Sequence, residues 1–183
     1  MTVAQSIVGF STDGGRPADD FYITPPEATK ALLAVEKFGP RIWEPACGDG
    51  TMSRTLEEAG YKVTSTDLNS HGYGVSGVDF LTSWDCPRYD IVTNPPFKLA
   101  QEFAEHALNV ADAKVALLCR LAFLEGQRRK TFFEAHPPRR VWVFSWRVSM
   151  WRRGEVMGKG KMMAYAWYVW ERGYRGEPVL GWL

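Results

Sequence analysis

Long apolar runs are missing from this 183-residue chain, and no stretch approaches the roughly 20 residues that a membrane-spanning helix needs. The N-terminal stretch MTVAQSIVGFSTDGG lacks a basic leader followed by an apolar core, so no secretory signal is expected. Cysteine is scarce: Cys47, Cys86 and Cys119 are odd in number and far apart. That spacing excludes a disulfide framework and a CxxC zinc pattern. Histidine is equally scarce, and His71, His106 and His136 have no cysteine partners at zinc spacing, so no metal is expected. His106 falls inside a helical stretch and reads as a packed or exposed side chain. Repeats and low-complexity tracts are also lacking. These absences leave a reduced, cytoplasmic protein as the expectation.

What is present is ordinary globular material, 45% apolar and 23% charged. A chain of this length buries roughly 70% of its unfolded surface and can hold its own core. The formal net charge of +1 conceals an asymmetry. Residues 1–120 carry about −6 and residues 121–183 about +7. The basic groups gather as Arg128-Arg129-Lys130, Arg139-Arg140, Arg147, Arg152-Arg153, Lys159 and Lys161, with Trp142, Trp146 and Trp151 among them. Cations suit phosphates and indole rings suit bases, so this pattern fits a nucleic acid. A solvated basic face over a tryptophan-rich core fits it equally well.

The polar, Gly-rich residues 1–20 read as a flexible N-terminal arm, and 21–183 as a single domain. Thr24-Pro25-Pro26-Glu27 has the form of a helix start capped by Thr24, and the helix is expected to end near Gly39-Pro40. RIWEPA (41–46) reads as a buried strand, CGDG as a tight turn and TMSRTLEEAG (51–60) as a helix closed by Gly60. KVTSTDL (62–68) is a second strand, GVSGVDF (74–80) a weaker third, and YDIVTNPPF (89–97) a strand ending in two prolines. A helix (98–111), a buried strand (113–123) and a short helix (126–136) follow. RRVWVFSW (139–146) and MMAYAWYVWERG (162–173) are then two successive aromatic-rich strands. The predicted fold class is α/β, a doubly wound, mostly parallel sheet of Rossmann-like form ending in an antiparallel edge hairpin. The 147–161 segment between the last two strands reads as a basic substrate-binding loop.

In such sheets ligands bind beyond the carboxyl ends of the strands, and CGDG, TDL and NPPF all fall there. Gly48-Asp49-Gly50 clears side chains from the backbone and opens a helix N-terminus, although a structural turn explains a Gly-x-Gly as readily. Asp67 follows about 20 residues later, where a carboxylate can accept both hydroxyls of a ribose. Asp79 can accept an exocyclic amino group while Phe80 packs on the ring, though Phe80 also reads as core. Asn94-Pro95-Pro96-Phe97 is the sharpest signal. Its prolines stop the ladder and hold the Asn94 side chain and the Pro95 carbonyl in one orientation. Two such acceptors bind both hydrogens of a planar amine and draw its lone pair out of ring conjugation. Phe97 can stack on the ring that carries the amine.

Together these residues resemble the Rossmann-like, class I S-adenosylmethionine-dependent methyltransferases, in particular the adenine-N6 DNA methyltransferases. Glu44-Pro45-Ala46-Cys47-Gly48-Asp49-Gly50 is similar to the family's first motif, and Asn94-Pro95-Pro96-Phe97 to its catalytic (D/N/S)PP(Y/F/W). Phe21-Tyr22-Ile23-Thr24-Pro25 resembles the cofactor-flanking segment, and the whole looks like the small stand-alone enzymes of phages and prophages. The resemblance implies S-adenosyl-L-methionine as cofactor, with Tyr22, Thr24, Glu44, Cys47, Gly48 and Gly50 around its methionine part and Phe21 and Asp49 also at the cofactor. It implies Asp67 at the ribose, Asp79 and Phe80 at the adenine, and Asn94, Pro95, Pro96 and Phe97 as the catalytic group. Cys47 then packs beside the cofactor, since methylating an amine needs no covalent enzyme intermediate. Arg147, Trp151, Arg152, Arg153, Lys159 and Lys161 are the residues expected on nucleic acid, DNA first, in a bacterial or phage-infected cytosol. The separate target-recognition domain of larger family members has no counterpart here.

Other amine acceptors share the chemistry: adenine N6 or guanine N2 in RNA, and the amide of protein glutamine. A catalytically idle binding module is disfavoured by the intact Asn94 motif. A nicotinamide-dependent dehydrogenase is disfavoured because CGDG lacks the third glycine of GxGxxG.

Overall fold

A computed structural model describes residues 21–84, 88–151 and 163–183. The expected arm (1–20), Cys86, and Arg152, Arg153, Lys159 and Lys161 of the basic segment lie outside the described residues.

Helix α1 (Pro26–Val35) starts on two prolines, with extended Pro25 as its N-cap and Pro26 where a missing N–H costs nothing. The expected Thr24 cap does not form. Thr24 instead meets Asn94 across the site described below. The helix also stops short of Gly39, because Glu36 turns extended at φ −122°, ψ 146°. That turn delivers the Glu36 carboxylate to Arg140, Lys114 and the Trp142 indole.

The remaining elements are β1 (Arg41–Glu44), α2 (Thr51–Glu58), β2 (Lys62–Asp67), β3 (Val75–Ser76), β4 (Asp90–Thr93) and α3 (Ala100–Val110). They continue with β5 (Lys114–Arg120), α4 (Gln127–Ala135), β6 (Arg140–Val143), β7 (Tyr165–Glu171) and β8 (Val179–Trp182). All eight strands form one sheet in the order β3-β2-β1-β4-β5-β7-β6-β8. Only β7 runs against its neighbours, pairing antiparallel with β5 and with β6. The doubly wound, mostly parallel α/β sheet is therefore as expected, and so is the antiparallel pairing of the two aromatic-rich strands.

The structure adds where those strands go. β7 inserts between β5 and β6, and its full length registers against β5 from Lys114↔Glu171 to Arg120↔Tyr165. The edge of the sheet is β8, which lies parallel on β6 and which the sequence pattern did not suggest. Gly181 permits that pairing, since a Cβ there would sit 2.2 Å from the Trp142 ring.

Strand residues alternate between two helical layers, as the period of two requires. Val115, Leu117 and Cys119 pack with Trp43, Tyr168, Trp170 and α3 residues such as Phe103 and Ala107. Ala116 and Leu118 face the other way, onto Leu32 of α1, Met52 and Leu56 of α2, and Trp167. His106 is one of the packed side chains, with its Nε2 3.1 Å from the Ser83 carbonyl and its ring against Phe80 and Trp84. Among the described residues, no helix is long and apolar enough to cross a membrane.

Candidate active site

The carboxyl ends of β1, β2 and β4 converge on a cavity that opens to solvent. β1 ends at Glu44, and the chain then folds through Cys47-Gly48-Asp49-Gly50 into α2. Gly48 (φ 53°) and Gly50 (φ 81°) take the left-handed backbone that this turn requires. Both glycines are needed for close approach, but to protein rings. A Cβ on Gly48 would lie 2.2 Å from Phe21, and one on Gly50 2.2 Å from Tyr73. Their place in the site is therefore behind its wall.

Asp67, the last residue of β2, fixes the same turn. Its Oδ2 accepts the Gly48 N–H at 2.9 Å and its Oδ1 the Asn69 N–H at 2.8 Å. Asp49 accepts both the N–H and the hydroxyl of Thr51 and so caps the first turn of α2. Glu44 is only 2% exposed and accepts the Ser53 hydroxyl. Burial holds its carboxyl well above the ordinary range, and the nearby Asp49 and Asp67 charges add to that. Cys47 is pushed up to about 12, first by burial and then by Glu44 and Asp67. It is a neutral thiol near pH 7, as the packing role expected of it requires.

The cavity gathers most of the residues expected around a cofactor. Phe21, Tyr22, Thr24, Glu44, Cys47 and Asp49 line it from the first motif and the segment before α1. Asp67, Asp79 and Phe80 line it from the β2 and β3 side. Asp79 caps a short 3-10 turn over Phe80–Thr82 through the Leu81 N–H. Phe80 serves as core and wall together, edge-on to Trp43 at 5.1 Å. His71 was missed. It stacks on Phe21 at 4.2 Å and lines the cavity four residues after Asp67. A ring so near a carboxylate at a strand end was the available clue.

Asn94, Pro95, Pro96 and Phe97 follow β4 and close the opposite wall. The Asn94 amide nitrogen donates to Thr24 Oγ1 at 3.0 Å and toward Met150 Sδ at 3.6 Å. The Asn94 Oδ1 is buried and has no partner among the described residues. An unsatisfied buried acceptor costs about 1–3 kcal/mol, so it marks a place for a donor. Sequence reasoning missed both anchors, which come from 70 and 56 residues away. Phe97 lies 5.8 Å from the Tyr22 ring and 5.7 Å from Tyr165.

Of the expected nucleic-acid contacts, Arg147 is exposed and outside the cavity lining. Trp151 is half-buried, and its carbonyl accepts the Ile23 N–H at 2.8 Å in an isolated bridge. That bridge ties the start of the basic segment to the strip beside the cavity. Among the described residues no group of three or more potential ligands could hold a metal.

The structure aligns over 92% of this chain with a Listeria monocytogenes protein assigned to the class I S-adenosylmethionine-dependent methyltransferases. The match covers 68% of that protein at TM-score 0.66 and 11% identity. The fold is that of the class I methyltransferases. The M protein of the type I restriction enzyme EcoKI has the same fold at TM-score 0.59 and 13% identity, over 86% of this chain and 45% of that one. By sequence, the chain is 30% identical over 99 residues to the type II methyltransferase M.TthHB8I of Thermus thermophilus. That match spans 48% of this chain and 23% of the relative, so it covers about a quarter of the relative's length. No family model matches the chain. A methyltransferase fold hosts many acceptors, so the substrate must be argued from the site.

Proposed function

We propose that this protein binds S-adenosylmethionine in the cavity and methylates the exocyclic N6 amine of adenine in DNA. The observation that carries the reading is the open Asn94 Oδ1 beside two prolines. The Asn94 amide nitrogen faces Thr24 Oγ1 and Met150 Sδ, and the thioether only accepts, so the oxygen is left as the acceptor. An amine is the donor that fits it, and the Pro95 carbonyl would take the second hydrogen.

The cavity suits the cofactor in charge. The carboxylates of Asp49, Asp67 and Asp79 along it favour a ligand bearing sulfonium and ammonium charges. Asp67 would hold ribose hydroxyls, with Asp79 and Phe80 at the adenine. Tyr22, Thr24, Glu44 and Cys47 would flank the methionine part. When bound, S-adenosylmethionine supplies an activated methyl group, so orientation rather than acid–base chemistry provides most of the acceleration.

A target base in a duplex must leave the stack, and Phe97 is the surface that receives it. Asn94 and Pro95 oxygens then localise the lone pair on the amine nitrogen. They stabilise the positive charge that develops there until a proton is shed. Residues 21–183 act as one methyltransferase domain, and the basic 147–161 segment holds the backbone phosphates. The 99-residue sequence likeness to a type II methyltransferase supports methyl transfer as the reaction.

The test is to incubate the protein with methyl-labelled S-adenosylmethionine and unmethylated DNA, RNA or protein, then digest and identify the labelled product. N6-methyladenine from DNA is the expected result. Label appearing only in RNA or in glutamine would overturn the substrate. Asn94→Ala should lower turnover at least about a hundredfold, in line with loss of a transition-state hydrogen bond. Calorimetry should show its cofactor affinity unchanged.

A further inference from the structure

Arg120 ends β5, the strand next to β4, at the same sheet edge as the Asn94 turn. Its guanidinium lies 4.5 Å from the centre of the Phe97 ring. The side chain is half-buried, and its Nε is fully buried with no hydrogen-bond partner. No carboxylate pairs with it among the described residues. Arg140 and Lys114, also half-buried, both meet Glu36 and Glu171, while half-buried Arg129 lies over Phe123 but gives its N–H groups to the Ala122 and Glu125 carbonyls. Among the described residues, the Arg120 guanidinium is thus matched only by the ring proposed to receive the target base.

A guanidinium in that state is missing an anion. Ring stacking satisfies its face but none of its N–H donors, which lie in its plane. The ligand that would complete it presents two oxygens in one plane, the geometry of a phosphate or a carboxylate. A nucleotide whose base stacks on Phe97 carries its phosphate one sugar away, within reach of a cation on the same ring. We propose that Arg120 clamps a backbone phosphate at the target nucleotide, locking that nucleotide while Phe97 holds its base. This rests on the nucleic-acid reading of the site and deepens it. It places one phosphate anchor at the catalytic turn itself, apart from the basic 147–161 segment. Because phosphates are alike at every step, the contact fixes position and carries no sequence preference.

The experiment measures binding of a duplex oligonucleotide by wild type, Arg120→Met and Arg120→Lys across a salt series. Cofactor affinity is measured in parallel. One lost phosphate contact should lower the slope of log K against log salt by about 0.9 for Arg120→Met. Binding at low salt should weaken roughly tenfold or more, equally for unrelated sequences. KM for DNA should rise while kcat at saturating DNA changes little. Arg120→Lys keeps the charge and should restore the wild-type slope, though not the full affinity. Cofactor affinity should stay at the wild-type value in both variants, which shows the domain folded. Should Arg120→Met fail to fold, the Arg120→Lys comparison decides, since a purely packing role predicts wild-type KM once the protein folds. An unchanged slope in folded Arg120→Met overturns the clamp and leaves adenine methylation standing. Wild-type protein that binds cofactor but neither binds nor methylates DNA overturns both.

Discussion

A single unsatisfied oxygen does most to define this site. Among the described residues Asn94 Oδ1 has no partner, while its amide nitrogen donates to Thr24, which is available because Pro25 has replaced it at the helix cap. Thr24→Val keeps the shape and removes the hydroxyl, so the amide can rotate and present its nitrogen to the substrate. Turnover should fall about tenfold, the worth of one lost neutral hydrogen bond. Steady-state assays should show this in kcat, with cofactor affinity nearly unchanged. The residues legible in the sequence were those whose type implied their chemistry: Asp67 at a strand end, Asn94 before two prolines, Phe97 after them. Thr24 was legible as a cap but not as an anchor. Both roles use the same hydroxyl, and only the distance to Asn94 decides between them.

Elements are held in register by a buried charge cluster at the end of the strands away from the cavity. Glu36, just after α1, accepts from Arg140 on β6 (Nη2, 2.9 Å), Trp142 on β6 (2.9 Å) and Lys114 on β5 (3.0 Å). Glu171 on β7 faces the same two cations. Burial pushes the Glu36 carboxyl up, but the hydrogen bonds from Arg140, Trp142 and Lys114 outweigh it and hold it below the ordinary 4.5. Its stabilisation is therefore fully present above about pH 4.5 and is lost as pH falls through the lower folded value. Glu36→Gln should cost on the order of 2 kcal/mol at pH 7, since it leaves two partly buried cations underpaired. Urea melts at pH 7 and at pH 3 should show the gap between wild type and variant closing in acid. The sequence showed the strands that meet here but not the cluster. Its members are spread from residue 36 to residue 171, and each reads singly as a surface charge.

Over the whole molecule, the charge asymmetry and the sheet geometry serve one surface. The acidic first two-thirds supplies the carboxylates of the cavity. From the basic last third, Met150 reaches the Asn94 amide and the Trp151 carbonyl accepts the Ile23 N–H. Replacing Arg152 and Arg153 together with alanine should reduce the salt slope of duplex binding by about 1.8, two phosphates' worth. Fluorescence anisotropy across a salt series would check it, and an unchanged slope would place the footprint elsewhere. Cofactor affinity should not respond, because the cofactor cavity is built from earlier parts of the chain.

The sequence by itself determined the alternation of strands and helices, and that the turns after β1, β2 and β4 lie at the carboxyl ends of parallel strands. Those features are local: a period of two or 3.6, a glycine at positive φ, a proline that ends a ladder. Only the tertiary structure decided that β7 enters between β5 and β6, that β8 forms the edge, and that Thr24 orients Asn94 while Arg120 covers Phe97. Each depends on residues brought together from distant parts of the chain. Packing volume, unpaired donors and buried charge choose such partners, and none of these leaves a pattern along the chain.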